Sequence, residues 1–479
     1  MRAFFEKLSG RLPVGGLQPA VVRPGLCLTY RDLIARTREG AEWSRALPSR
    51  VGLLFTGMAD HMLADLALSY AGKEIVPLPS FFSDAQLAHI VRSTKIAHVL
   101  CDAVSIARAR GLGLIAAELG AAPCASNEPA LESRRVIFTS GSTGQPKGVR
   151  IASRQILASV GALAEATGAR PDDRYLSLLP SALLLEQIAG IYLPLFVGGC
   201  ICLPAPSSSP VAGSLCGIAK GANPTATVLV PDLLAAWCRE LEQRNRRGPQ
   251  SLRYIAVGGA PVSQSLLKAA RRRGLPVHEG YGLSECCSVV TLNRPGDQET
   301  GTSGRPLAGT QVTIEDGEII VAGPTVMDGY FGEADIPPRW PTGDLGRVDR
   351  AGRLIVEGRK DNLIVTAAGR NVSPEWIEGM IAEDHSISRC VVVEHEGALV
   401  AVVTPARASI VGHGRADLLA AVANATRHAP TYAKPRRCLI VTDTELHALD
   451  MFTSNGRPRR AAIRTLVGER SRCLDAQAN

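Results

Sequence analysis

The chain has 479 residues, 46% of them apolar, and a net charge of +8 that is mostly arginine. That length exceeds one ordinary core, so two or more domains are expected, with the apolar share of a soluble globular protein. The basic clusters at Arg244–Arg247, Arg271–Arg273 and Arg457–Arg464 carry no aromatic interleaving and no nucleic-acid motif, which argues against a nucleic-acid partner.

In chain order, the first part alternates strands and helices. Strands are expected at Val51–Phe55, Glu74–Leu78 and Ala97–Cys101, with helices at Met62–Tyr70 and Asp84–Val91 between them. Such alternation predicts parallel sheets with helices on their faces. Ala121–Ala130 reads as a connector of small residues before the apolar run Val136–Phe138. A second alternating run places strands at Tyr175–Leu179, Cys200–Leu203, Thr227–Val230, Tyr254–Val257 and Val277–Glu279. Helices are expected at Asp232–Glu240 and Ser263–Arg272. The most apolar stretch, Ile188–Leu203, is broken by Pro194 and Gly198-Gly199 and is too short for a bilayer, so it reads as a core helix and a buried strand. After residue 300 the pattern turns to hairpins. Asp316-Gly317 separates Val312–Glu315 from Glu318–Val321, and Ala351-Gly352 centres a second hairpin over Arg347–Val356. Beyond Asp361 the spacing predicts a helix near Pro374–Ile381, a hairpin turning at Glu396-Gly397, a helix near Asp417–Thr426, a strand at Cys438–Val441 and a basic final helix from Arg459. No transmembrane segment is expected. Twelve cysteines without metal-ligand spacing read as reduced thiols, and Met1–Lys7 has no apolar signal core, so a cytoplasmic location is expected.

One loop carries the strongest chemical signal: Thr139-Ser140-Gly141-Ser142-Thr143-Gly144-Gln145-Pro146-Lys147-Gly148. Its glycines let several backbone N–H groups point one way, its hydroxyls add donors, and Lys147 adds a mobile positive charge. This composition suits phosphate. It is not a Walker A loop, because Pro146 precedes Lys147 and Gly148 follows it. Five further segments accompany it: Gly280-Tyr281-Gly282-Leu283-Ser284-Glu285, Thr342-Gly343-Asp344, Gly358-Arg359-Lys360-Asp361, Gly369-Arg370-Asn371-Val372-Ser373-Pro374 and Thr453-Ser454-Asn455-Gly456-Arg457. In these motifs, their order and their spacing, the chain resembles the adenylate-forming superfamily of acyl-CoA synthetases, peptide-synthetase adenylation domains and firefly luciferase. The resemblance runs from Thr29-Tyr30 to Arg460.

The resemblance implies an α/β fold. A large N-terminal domain (1–360) would hold two α/β subdomains and a small β-barrel, and a small mobile α+β domain (361–479) would rotate about a hinge at Asp361. It also implies a two-step reaction. A carboxylate attacks the α-phosphorus of ATP, pyrophosphate leaves, and a phosphopantetheine thiol then displaces AMP from the acyl adenylate. Thr139, Ser140, Gly141, Ser142, Thr143, Gly144 and Lys147 would wrap the β- and γ-phosphates. Glu285 would ligate Mg²⁺, and Ser284, where the family more often has Thr, would contact the α-phosphate. Tyr281 would stack on adenine, with Gly258-Gly259-Ala260 letting backbone approach the base. Asp344 would accept both ribose hydroxyls, and Arg359 would reach ribose or phosphate. Gly280, Gly282 and Leu183 would line the acyl pocket, and the Gly369 loop would line the thiol tunnel.

Two departures bear on function. Arg457 stands where the family has the lysine that bridges carboxylate and α-phosphate. Arginine keeps the charge but is planar and bulkier. Either Arg457 does the bridging, or another cation such as Lys434 substitutes, or adenylation is impaired. In Leu179–Glu186, Leu183 occupies a position at which long-chain members usually carry His. This makes the pocket mouth more apolar and favours a fatty or aryl carboxylic acid over an amino acid, and no Asp suited to a substrate ammonium is evident. The acceptor is coenzyme A by family default. An acidic acyl carrier protein, steered by the basic tail from Arg457, is the alternative. A serine hydrolase is disfavoured because no Gly-x-Ser-x-Gly pentad is present. A non-catalytic nucleotide- or acyl-binding protein is the reading that Arg457 alone supports.

Overall fold

The computed structural model describes residues 4–6, 16–118, 132–139, 146–205, 214–366, 370–384, 386–406, 415–449, 451–452 and 458–476. Two large sheets dominate, and both are mostly parallel, as the alternation implies. The first has nine strands, ordered Arg305–Pro306, Thr291–Leu292, Val277–Tyr281, Tyr254–Val257, Ala226–Leu229, Arg174–Leu176, Cys200–Cys202, Pro19–Arg23 and Leu26–Thr29. The second has seven, ordered Gly329–Tyr330, Lys147–Ala152, Arg134–Thr139, Glu74–Pro77, Arg50–Leu54, His98–Cys101 and Ile115–Ala117. Their central strands are short apolar runs because helices cover both faces and no polar alternation is needed. One core joins the sheets: helix Ser153–Thr167 buries Ile156, Val160 and Leu163 against Ile188, Leu195 and Tyr254.

Local chemistry sets the element ends. Thr29 caps helix Tyr30–Ser44 in a reciprocal box with Asp32, and Ser83 does the same with Gln86 for Asp84–Thr94. Asp316 and Gly317 (φ 48° and 80°) turn the hairpin Gln311–Glu315/Glu318–Ala322. Glu396 and Gly397 (φ 52° and 74°) turn Ile387–His395/Ala398–Pro405. The region for which the resemblance implies a β-barrel forms a four-stranded antiparallel sheet, ordered Gln311–Glu315, Glu318–Ala322, Arg339–Val348 and Leu354–Arg359. After residue 361 a three-stranded sheet packs its own core of Ile377, Ile381, Val392, Ala401 and Val422.

Two expected elements differ. The core helix after Ile188 is a π-helix, Gln187–Tyr192, set between α-helical Leu184–Glu186 and Leu193–Val197. Pro194 has no N–H to return to the preceding turn, and the wider turn accommodates the Glu186 carboxylate, which lies 2.2 Å from where a Cβ on Gly190 would sit. The strand expected over Tyr175–Leu179 stops at Leu176, because Ser177 turns inward to donate to Glu186. Among the described residues no helix is long and apolar enough to cross a membrane.

Candidate active site

The glycine-rich loop joins two antiparallel strands. Thr139 and Lys147 face each other as the last register pair of Arg134–Thr139 and Lys147–Ala152. Ser140, Gly141, Ser142, Thr143 and Gly144 lie outside the described residues. Gly148 is required by packing, since a Cβ there would meet Val136 at 2.7 Å. On the other edge of Lys147–Ala152, Gly329–Tyr330 pairs with Arg150 and Val149. Lys147 Nζ therefore lies 4.8 Å from the centre of the Tyr330 ring and 4.0 Å from Glu333.

The segment Gly280–Glu285 leaves the C-terminal end of a central strand of the other sheet. At its far end, half-buried Glu285 accepts a hydrogen bond from the Tyr330 phenol (Oε1, 3.0 Å). At its near end, the Tyr281 phenol donates to Asp344 Oδ2 at 2.6 Å. Asp344 is buried and also accepts from Arg359 Nη1 at 3.0 Å, its register partner in the neighbouring hairpin. Burial and the Asp344 charge hold the Tyr281 phenol well above its usual range, so it stays a donor. Gly343 (φ 72°) donates its N–H to Glu318, which also pairs with Lys360 at 2.8 Å.

Close backbone approach explains the glycines here. A Cβ on Gly282 would lie 1.6 Å from the Ser288 carbonyl oxygen, and one on Gly258 would lie 3.0 Å from the Gly280 oxygen. The chain doubles back after Glu285 through Cys287 and Ser288, both in the left-handed region (φ 53° and 86°). Ser159 Oγ donates to Cys287 O at 3.1 Å and pins that turn. Gly259 (φ 84°) and Ala260 follow directly on the strand Tyr254–Val257.

An apolar cavity of about 50 Å³ lies between the nine-stranded sheet and its helices, lined by Tyr175, Ala189, Leu193, Ala256, Val289 and Leu292 among others. Ala256 is the register partner of His278, and alternation puts Gly280 on that same face. Leu183, Gly280 and Gly282 are not among the lining residues. Leu185 is, while Leu183 packs half-buried against the same apolar cluster as Leu185.

Asp361 sits in the short 3₁₀ turn Lys360–Asn362 that leads out of Leu354–Arg359. Beyond it, Ser373 Oγ donates back to Glu357 O at 2.7 Å. Gly369 and Arg457 lie outside the described residues. Lys434, the alternative bridging cation, donates to the Arg427 carbonyl at 2.8 Å. Arg460 is held inside the last domain by Glu375, Glu378 and the Val392 carbonyl. That guanidinium is internal, so it is not part of the basic surface read from the tail. Among the described residues no three His, Cys, Asp or Glu side chains converge. A divalent ion here would take Glu285 as its carboxylate and complete its shell with nucleotide oxygens and water, and the half-exposed carboxylate fits that role. Tyr330 and Glu318, which touch Glu285 and Gly343 respectively, are neighbours of the expected site residues that sequence reading did not single out. Gly329-Tyr330 has only an aromatic beside a glycine as local signal, and its importance comes from strand pairing.

The AMP-binding enzyme family matches residues 16–331. The 2-succinylbenzoate–CoA ligase of Bacillus subtilis is 30% identical over 271 residues, covering 53% of this chain and 54% of that protein. The long-chain-fatty-acid–CoA ligase FadD15 of Mycobacterium bovis is 30% identical over 318 residues, covering 54% of this chain and 52% of that protein. The chain spans about half the length of the curated relatives it matches. A solved structure of o-succinylbenzoate CoA synthetase (MenE) from Bacillus subtilis, in complex with its acyl-adenylate intermediate, shares the fold. Its TM-score is 0.81 at 22% identity, over 96% of this chain and 97% of that one. With the family match spanning most of its length and this α/β architecture, the chain belongs to the AMP-binding enzyme family.

Proposed function

We propose that the chain activates a carboxylic acid with ATP, releasing pyrophosphate, and passes the acyl group from the adenylate to the thiol of coenzyme A. The observation that carries this reading is the segment Gly280–Glu285. One end contacts the Asp344–Arg359 pair and the other contacts Tyr330, against which Lys147 docks. A nucleotide laid along that segment meets a hydroxyl-reading carboxylate at one end and a lysine-bearing loop at the other.

In this reading Asp344, held by its ion pair with Arg359, accepts the ribose hydroxyls, and Tyr281 offers its ring to adenine beside Gly258-Gly259-Ala260. Ser284 donates to the α-phosphate. Thr139 and the loop through Lys147 hold the β- and γ-phosphates and orient pyrophosphate as it leaves. Magnesium, when bound at Glu285, neutralises phosphate charge. Arg457 bridges the attacking carboxylate and the α-phosphate, and residues 361–479 turn about Asp361 so that the Gly369 loop lines the thiol path for the second step. The acid is apolar, fatty or aryl: the cavity on the Gly280 face is lined by aliphatic and aromatic side chains, and both named relatives act on acids that contain such groups. Coenzyme A is preferred over a carrier protein, because both relatives are CoA ligases and Arg460 is turned inward.

The test is pyrophosphate release from MgATP with a panel of fatty and aryl acids, first without thiol and then with coenzyme A or a carrier protein. Release with one acid class and product with coenzyme A is the expected result. Arg457→Ala should lose release and Arg457→Lys should retain it. Silence across the panel, with nucleotide still bound, would replace this reading with that of a nucleotide-binding protein lacking catalysis.

A further inference from the structure

Tyr330 lies outside every motif that marks the site, yet it touches both halves of the phosphate-binding apparatus. Its phenol donates to Glu285 Oε1 at 3.0 Å, and its ring receives Lys147 Nζ at 4.8 Å from the centroid. Glu285 and Lys147 come from different sheets, and the Tyr330 side chain contacts them both.

The surroundings fix this side chain firmly. Gly329–Tyr330 is paired onto Lys147–Ala152, and Phe331 N donates to Gly148 O at 2.7 Å, so the aromatic is registered against the base of the phosphate loop. Arg150 is threaded through the following turn. It donates to the carbonyls of Asp328, Tyr330 and Glu333 and pairs with Asp335 at 2.9 Å. Gly329 (φ 130°) is required for this turn, because a Cβ there would lie 2.6 Å from Ala334 O. Trp340 closes edge-on against the ring, with centroids 5.7 Å apart. A phenol that only filled space would not need its oxygen on a carboxylate and its face under an ammonium.

We infer that Tyr330 is a positioning residue for the metal–nucleotide complex: its hydroxyl orients the Glu285 carboxylate toward the divalent ion, and its ring presents Lys147 to the phosphates. This rests on the proposed adenylation reading. A carboxylate with one oxygen tied by a fixed phenol loses rotational freedom and keeps lone pairs directed outward. A lysine parked over a ring face has its charge close to where the β- and γ-phosphates must lie, while the contact is weak enough for it to leave.

Two variants separate the two contacts. Tyr330→Phe removes the hydroxyl and keeps the ring, and Tyr330→Ala removes both. The readout is calorimetric binding of α,β-methylene-ATP to the full chain, with Mg²⁺ and with EDTA, alongside thermal unfolding. Tyr330→Phe should weaken binding in Mg²⁺ by about ten- to 150-fold, the size of one charge-assisted hydrogen bond, and leave binding in EDTA unchanged. Tyr330→Ala should weaken both. In a Glu285→Gln background, Tyr330→Phe should have no further effect. The inference is overturned if Tyr330→Phe binds the magnesium complex as wild type does or more tightly, if it loses equally with and without metal, or if its effect adds fully to that of Glu285→Gln. Should the unmodified chain show no magnesium-dependent nucleotide binding, the adenylation reading itself fails and takes this inference with it. That outcome is distinct from a Tyr330 failure, in which the wild type binds normally.

Discussion

Gly282→Ala is the sharpest test of how the site is built. The new Cβ would sit 1.6 Å from Ser288 O, 2.7 Å from Ser288 C and 2.8 Å from Val289 Cα, all of them backbone atoms. Cβ contacts below 3.0 Å are essentially never seen, so the backbone must give by about 1.4 Å, and a misplacement of about 1 Å is enough to cost ~100-fold in rate at a catalytic centre. The turn it would push against cannot yield cheaply. Cys287 and Ser288 already hold left-handed φ values of 53° and 86°, and Cys287 O is bonded to Ser159. The movement falls on Leu283–Cys286, which carry Ser284 and Glu285. We expect the rate of pyrophosphate release to fall about 100-fold or more, with native circular dichroism retained. Gly161→Ala is the control. It lies in helix Ser153–Thr167 with nothing within 4 Å of the new Cβ, so it should leave the rate unchanged and add up to ~1 kcal/mol of stability. A folded Gly282→Ala protein with wild-type kcat and KM would refute the argument.

Three further outcomes follow from the same structure. Burial raises the pKa of Glu186 from 4.5 to about 8, despite hydrogen bonds from Ser177 and Tyr175. The unfolded chain releases this proton first as pH rises, so stability present below pH 4.5 should drain away up to about pH 8. Linkage makes that loss on the order of 5 kcal/mol, and Glu186→Gln should abolish it; urea unfolding curves of the two proteins that stay parallel from pH 5 to pH 8 would contradict this. Arg135 and Asp65 form a fully buried ion pair at 2.6 Å, so Asp65→Asn should cost about 3–5 kcal/mol by leaving a buried guanidinium unpaired, and a loss below about 1 kcal/mol in the same assay would count against it. Asp344→Ala should raise the KM for ATP at least about tenfold with a smaller change in kcat, since it removes charge-assisted hydrogen bonds at the nucleoside end; an unchanged KM would assign Asp344 a structural part only.

Much of the architecture is legible because short-range chemistry encodes it. Helix Pro374–Ile381 and strand Tyr254–Val257 have the expected bounds, since a Ser-Pro helix start and an apolar run between polar flanks are local signals. The turns at Asp316-Gly317 and Glu396-Gly397 are legible for the same reason. The π-helix at Gln187–Tyr192 is not, because its wide turn answers to Glu186 folding inward as well as to Pro194. The strand Lys147–Ala152 is not legible, because it follows a glycine and a proline and only its partner across the sheet makes it a strand.

By itself the sequence determined the α/β class, from its alternation of strand and helix patterns, and the order of the motifs, while the residue types expected to meet phosphate, metal and ribose came from the family those motifs resemble. Only the tertiary structure decided which of those residues touch. Tyr281 reaches Asp344, Lys147 and Glu285 share Tyr330, and Arg460 turns inward to Glu375 and Glu378. Each is a pairing between groups on separate strands or helices. A pairing of that kind is set by sheet register and close packing, which no run of neighbouring residues contains.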